Sequence, residues 1–146
     1  YNVKNQRKGA IFMSESLYIK DFRTLKVWQK ANALEQKIAE LVKDFPNYEQ
    51  YRLTDQIIRS SRSIGANICE GNTQLFIKKE IYHANVALGS VGETRNHLLT
   101  AYQNKYISKE QYDVLDEKLV EITKMLYGYI KKLKTVLDNH TDYSDI

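Results

Sequence analysis

Apolar residues recur at spacings of three and four in four stretches of the chain, which is the period of a helix with one buried face. In the first, over about residues 24–45, Leu25, Trp28, Ala31, Leu34, Ile38, Leu41, Val42 and Phe45 carry the pattern. Pro46 ends it, because proline disfavours the helical region for the residue before it. The second, about residues 51–70, sets Leu53, Ile57, Ser61, Ile64 and Ile68 on one face and is followed by Gly71, where a left-handed C-terminal cap would sit. The third, about residues 75–104, places Ile77, Ile81, Ala84, Leu88, Val91, Leu98 and Tyr102 in a heptad seam interrupted at Arg95. The fourth opens on Ser108 and Gln111, a capping-box pair, and continues through Tyr112, Leu115, Leu119, Ile122, Leu126, Ile130, Leu133 and Leu137. Short links make neighbouring helices antiparallel, so the pattern predicts an all-α, up-down-up-down antiparallel four-helix bundle.

The bundle is expected over residues 21–138, after a flexible extension at 1–20 and before a frayed, acidic tail at 139–146. Residues 1–12 read as an extension ahead of the original start or a tag remnant, with an ordered arm packed on a neighbour as the alternative. Helix two carries Ser60, Ser61, Ser63, Gly65 and Ala66, small side chains that let another backbone come close. Helix three repeats the device away from its seam, with Asn85, Gly89, Gly92 and Asn96 at spacings of four, three and four. That stripe reads either as tight packing inside one bundle or as an oligomer interface.

Composition agrees with helices and excludes other classes. One proline and six glycines in 146 residues are too few for the turns of a β-sandwich or barrel. With 42% apolar and 27% charged residues the chain is not of the disordered class. The single cysteine, Cys69, has no internal disulfide partner, which points to a reducing, cytoplasmic setting. No apolar run approaches the length of a membrane span. The balance of 22 Lys+Arg against 18 Asp+Glu, a formal charge of +4, is too mild to identify a partner by itself.

Catalytic constellations are not apparent, and no cofactor or metal is expected. There is no glycine-rich phosphate loop, paired CxxC or HExxH. Glu80 and His83 form one Glu-x-x-His spacing, whereas a di-iron bundle needs two such motifs with two further glutamates. His83 reads as outward, in line with Ser90 and His97, and His97 follows Glu93 by four residues, the spacing of a surface ion pair. None of the histidines follows an arginine at the spacing used by small helical ribonucleases.

Binding is better supported. Helix two offers Arg52, Arg59 and Arg62, the start of helix three Lys78 and Lys79, and the end of helix four Lys131, Lys132 and Lys134. Such side chains can neutralise phosphates of RNA or DNA, with an affinity that falls steeply as salt rises. A solvated face answered by Glu and Asp is the alternative for each.

Three segments, FRTLKVWQKA at 22–31, FPNYEQYRLTDQIIRSSRSIGANICEG at 45–71 and ALGSVGET at 87–94, resemble the bacterial four-helix-bundle 23S rRNA intervening-sequence proteins. The related accessory variability protein of diversity-generating retroelements looks similar too. The resemblance implies a homopentamer of bundles arranged as a barrel with a basic surface or channel. Through the retroelement relative, it also implies nucleic acid and a reverse transcriptase as partners. Trp28 and Gln29 match the VWQ signature, Arg59 a basic position of helix two, and Asn67, Glu70 and Gly71 the end of the signature run, where a structural role is expected: Gly71 as a helix stop, Asn67 and Glu70 bonding to nearby loop backbone. Gly65 stands where Pro is usual, and Ser60 and Ser61 where Arg and Ala are commoner. If the Asn85 to Asn96 stripe is an interface, Gly92→Leu is expected to disturb assembly at least as much as folding. A variant that elutes and scatters light like the parent excludes the interface.

Overall fold

The computed structural model describes residues 19–141, so the expectations for residues 1–18 and 142–146 lie outside the described residues. Four helices follow one another, α1 (Lys26–Leu41), α2 (Leu53–Thr73), α3 (Ile77–Gln103) and α4 (Lys109–Thr141), and they pack as an antiparallel four-helix bundle. Among the described residues there is no strand. Helix α1 closes earlier than its apolar period suggests. Val42–Asp44 and Asn47–Glu49 form single 3-10 turns around an extended Phe45 and Pro46, which give a longer link to α2 than a few residues. The α2–α3 link is residues 74–76 and the α3–α4 link residues 104–108.

The helix ends follow local chemistry. Ser108 and Gln111 close the capping box reciprocally: the Gln111 amide N–H donates to Ser108 Oγ at 3.0 Å, and the Ser108 N–H donates to Gln111 Oε1 at 2.9 Å. At the end of α3, Lys105 sits at φ 62, with Tyr106 N–H donating to Ala101 O and Lys105 N–H to Tyr102 O. This is a Schellman end with lysine at the left-handed position that glycine usually takes. Helix α4 runs to Thr141, into the segment expected to fray.

Leu34 and Ile38 of α1, Ile57, Ile64 and Ile68 of α2, Val91 and Leu98 of α3, and Leu119, Ile122 and Leu126 of α4 are the fully buried centre. All lie on the apolar periods read from the sequence. Two expectations need correction. The seam of α3 is rotated: its buried positions are Glu80, Ala84, Ala87, Ser90, Val91, Thr94, Leu98 and Ala101, while Ile77, Ile81, Leu88 and Tyr102 are half-buried. His83, Ser90 and His97 do not face outward. Ser90 is buried and bonds the Ser63 hydroxyl at 2.8 Å, His83 Nδ1 lies 3.3 Å from Asn67 Oδ1, and the His97 side chain is only 12% exposed.

Both corrections have one cause, the close approach of α2 to α3. The small residues of α2 meet small residues of α3, with the Thr94 hydroxyl 2.9 Å from Ser60 Oγ. Gly71 is not a helix stop, because α2 continues to Thr73 and no glycine among the described residues has a positive φ. A Cβ on Gly71 would sit 2.8 Å from His83 Cβ and 3.2 Å from the Glu80 carbonyl oxygen, so the residue is glycine because the α3 backbone passes there. At Gly65 a Cβ would meet Trp28 at 3.6 Å, an ordinary contact.

Gly71→Ala is therefore expected to lower the unfolding free energy by about 1–3 kcal/mol through overpacking. Gly89→Ala, where a Cβ meets nothing within 4 Å, should raise the stability of the isolated subunit by up to about 1 kcal/mol through helix propensity. Urea denaturation of the two variants, giving shifts of opposite sign, is the check.

Candidate nucleic-acid interface

The eight basic candidates separate into two groups. On α2, Arg59 Nε lies 3.1 Å from Asp55 and Arg62 Nε lies 3.4 Å from Glu35 of α1, so both guanidinium groups have acidic partners. Arg52 is exposed just ahead of α2, at the opposite end of that helix from the α2–α3 link. Lys78, Lys79, Lys131, Lys132 and Lys134 are all exposed, and none of them forms an ion pair among the described residues. The α3–α4 register brings these five to one level of the bundle. Arg95 meets Asp116 at 2.7 Å and Tyr129 meets Glu80, which puts Lys78 and Lys79 level with the turn at residues 131–134. Leu137 of α4 accordingly lines one cavity of about 540 Å³ with residues 75–79.

The oligomer candidates Asn85, Gly89, Gly92 and Asn96 are all exposed along the outer side of α3. A Cβ on Gly89 or Gly92 would meet nothing within 4 Å, so tight packing inside one bundle does not account for them.

The signature residues make contacts inside the bundle. Trp28 stands over Gly65 and takes the Phe22 ring edge-on, with centroids 5.0 Å apart. Gln29 Nε2 donates to the Arg23 carbonyl at 2.8 Å. Asn67 and Glu70 do not bond to loop backbone as expected. The Asn67 amide donates to Ser63 O within α2 at 2.9 Å, and Glu70 lies 3.8 Å from His83 Nδ1. These contacts follow from α2 running on past Gly71.

A buried carboxylate lies beneath the lysine cluster. Glu80, 3% exposed, accepts from the Tyr129 hydroxyl, from Asn72 Nδ2 at 3.3 Å and from Lys20 Nζ at 3.0 Å. It joins α2, α3, α4 and the segment ahead of α1 in one polar knot. Burial and the adjacent Glu80 carboxylate push the Tyr129 phenol above its ordinary pKa, which keeps it a donor. The Glu80 and His83 side chains serve different partners, and among the described residues no group of three or more His, Cys, Asp or Glu has the arrangement of a metal site. Sequence reasoning singles out Glu80 for its spacing to His83 and misses this role. Its position one and two turns ahead of Ala84 and Ala87 on the buried face is the available signal.

The helices define an all-α protein of the four-helix-bundle class. The chain belongs to the 23S rRNA-intervening sequence protein family, which it matches over residues 23–128. It is similar in structure to a protein of unknown function from Bacteroides thetaiotaomicron VPI-5482, of the S23 ribosomal protein family. The two share 33% identity and a TM-score of 0.67, over 72% of this chain and 98% of that one. No curated protein matches the sequence. Among the described residues no helix is long and apolar enough to cross a membrane.

Removing the Tyr129 hydroxyl leaves a buried carboxylate short of a donor, so Tyr129→Phe is expected to cost about 1–3 kcal/mol of unfolding free energy. Lys20→Met, at a half-exposed ammonium, should cost less. Urea titration of both variants checks the order.

Proposed function

We propose that this is a non-enzymatic, homopentameric, cytoplasmic four-helix-bundle protein that binds RNA or DNA through its basic end and acts as an accessory to a nucleic-acid-processing enzyme, such as a reverse transcriptase. The observation that carries the reading is that Lys78, Lys79, Lys131, Lys132 and Lys134, at one level of the bundle, form no ion pair among the described residues, while Arg59 and Arg62 are answered by acids. Uncompensated cations at one end concentrate a field that a chain charge of +4 conceals, and repetition of that end around a ring multiplies it. The outward stripe of Asn85, Gly89, Gly92 and Asn96 is what a close helix-to-helix contact between subunits requires, since side chains this small let backbones approach.

A second reading, a protein-interaction module without nucleic-acid affinity, is favoured by the exposed Leu75 and Phe76 beside the same lysines. Charge reversal distinguishes the two. Lys78→Glu/Lys79→Glu and Lys131→Glu/Lys132→Glu are expected to abolish a low-salt gel shift with structured RNA. On duplex DNA, neutral substitutions at the same positions should flatten the salt dependence by about 0.9 in log–log slope for each phosphate that is no longer neutralised. Arg59→Ala should change little. A parent protein that shifts no nucleic acid at low salt overturns the proposal.

A further inference from the structure

We infer that the α2–α3 end of the bundle is a site for single-stranded nucleic acid, with Phe76 and Tyr127 offering ring faces to unstacked bases while neighbouring lysines hold the phosphates. This rests on the nucleic-acid reading above and specifies its ligand.

The rings supply the first argument. Among the described residues most aromatic side chains are engaged with one another: Phe22 with Trp28, Phe45 and Tyr48 with Tyr106, Tyr102 with Tyr112. Phe76 is 71% exposed and Tyr127 61% exposed, and neither has a ring partner among the described residues. A lone exposed aromatic is ordinary. Phe76, however, borders the cavity of about 540 Å³ with Leu75, Ile77 and Leu137, an apolar recess large enough for a flat base, and Lys78 and Lys79 stand on its wall.

Spacing supplies the second argument. Tyr127, Lys131 and Lys134 fall at i, i+4 and i+7, so they share one face of α4, with Lys124 one turn before. The exposed Tyr82 follows Lys78 by one turn of α3. Aromatic rings and lysines thus alternate on both helices that meet at this end. That is the arrangement single strands require, a positive track for the backbone with platforms on which successive bases stack.

A duplex keeps its base faces inside its own stack and has no use for an open ring beside an apolar recess. An apolar protein partner would use the recess but leave five lysines without counter-charge. The single strand satisfies both features.

The test uses the full chain and fluorescence anisotropy with a labelled oligouridylate and a labelled RNA duplex of equal length, at matched salt. The single strand is expected to bind more tightly. Phe76→Ala should weaken it about five- to hundredfold while leaving the duplex unchanged, and Phe76→Trp should restore it. Tyr127→Ala should weaken the single strand in the same sense. If both alanine variants bind the single strand like the parent while Lys78→Glu/Lys79→Glu loses it, the inference is overturned, the nucleic-acid reading stands, and the apolar tip is a protein contact. If the parent binds neither probe, both are overturned.

Discussion

The close approach of α2 and α3 governs the rest of the molecule. Where Gly71 passes His83 and the Glu80 backbone, there is no room for a Cβ, and the small residues above it keep the two helices together for several turns. With the backbones this near, serine and threonine hydroxyls reach across the seam and satisfy one another, as Ser63 does with Ser90 and Thr94 with Ser60. Small and hydroxyl-bearing side chains therefore line the seam between the two helices. The large side chains of α3, Ile81 and Leu88 among them, move to its flank and become half-buried.

A second constraint is length. Helix α1 begins at Lys26, with Trp28 beside Gly65 and Lys30 facing Glu121, so the last turns of α4, about 20 Å of helix, have no α1 opposite them. Apolar burial fades there. Leu126 is fully buried, but Ile130, Leu133 and Leu137 are only partly so. The Glu80 knot, drawing on Tyr129, Asn72 and Lys20, stands where a fourth helix would otherwise have placed leucines.

Most of this scaffold was legible in the periodicity. Ile38, Ile57, Leu119 and Ile122 are buried where a period of three and four put them, and the Ser108 and Gln111 pair caps α4 as its residue types require. The phase of α3 was not legible, because a hydrophobic pattern weights large side chains while a close backbone contact selects small ones. Gly71 was ambiguous for a related reason: one residue type serves both a left-handed cap and a tight crossing, and only the neighbouring helix distinguishes them. Lys105 shows the converse, a left-handed position without the residue that usually marks it. Among the candidate site residues, the pairing of Arg59 with Asp55 follows from their spacing of four, but that of Arg62 with Glu35 joins two helices and needs the fold. The grouping of Lys78 with Lys131 likewise depends on register between helices.

The short α1 also bears on how the molecule opens. Local unfolding starts where backbone hydrogen bonds are backed by few buried apolar contacts, which here means the last turns of α4. Those turns carry Lys131, Lys132 and Lys134. A polyanion held there keeps the helix closed as well as neutralising its charge, so occupancy and amide-exchange protection of the same segment are thermodynamically linked. The part of the bundle with the least apolar burial behind it is in this way the part whose order would report on the proposed ligand.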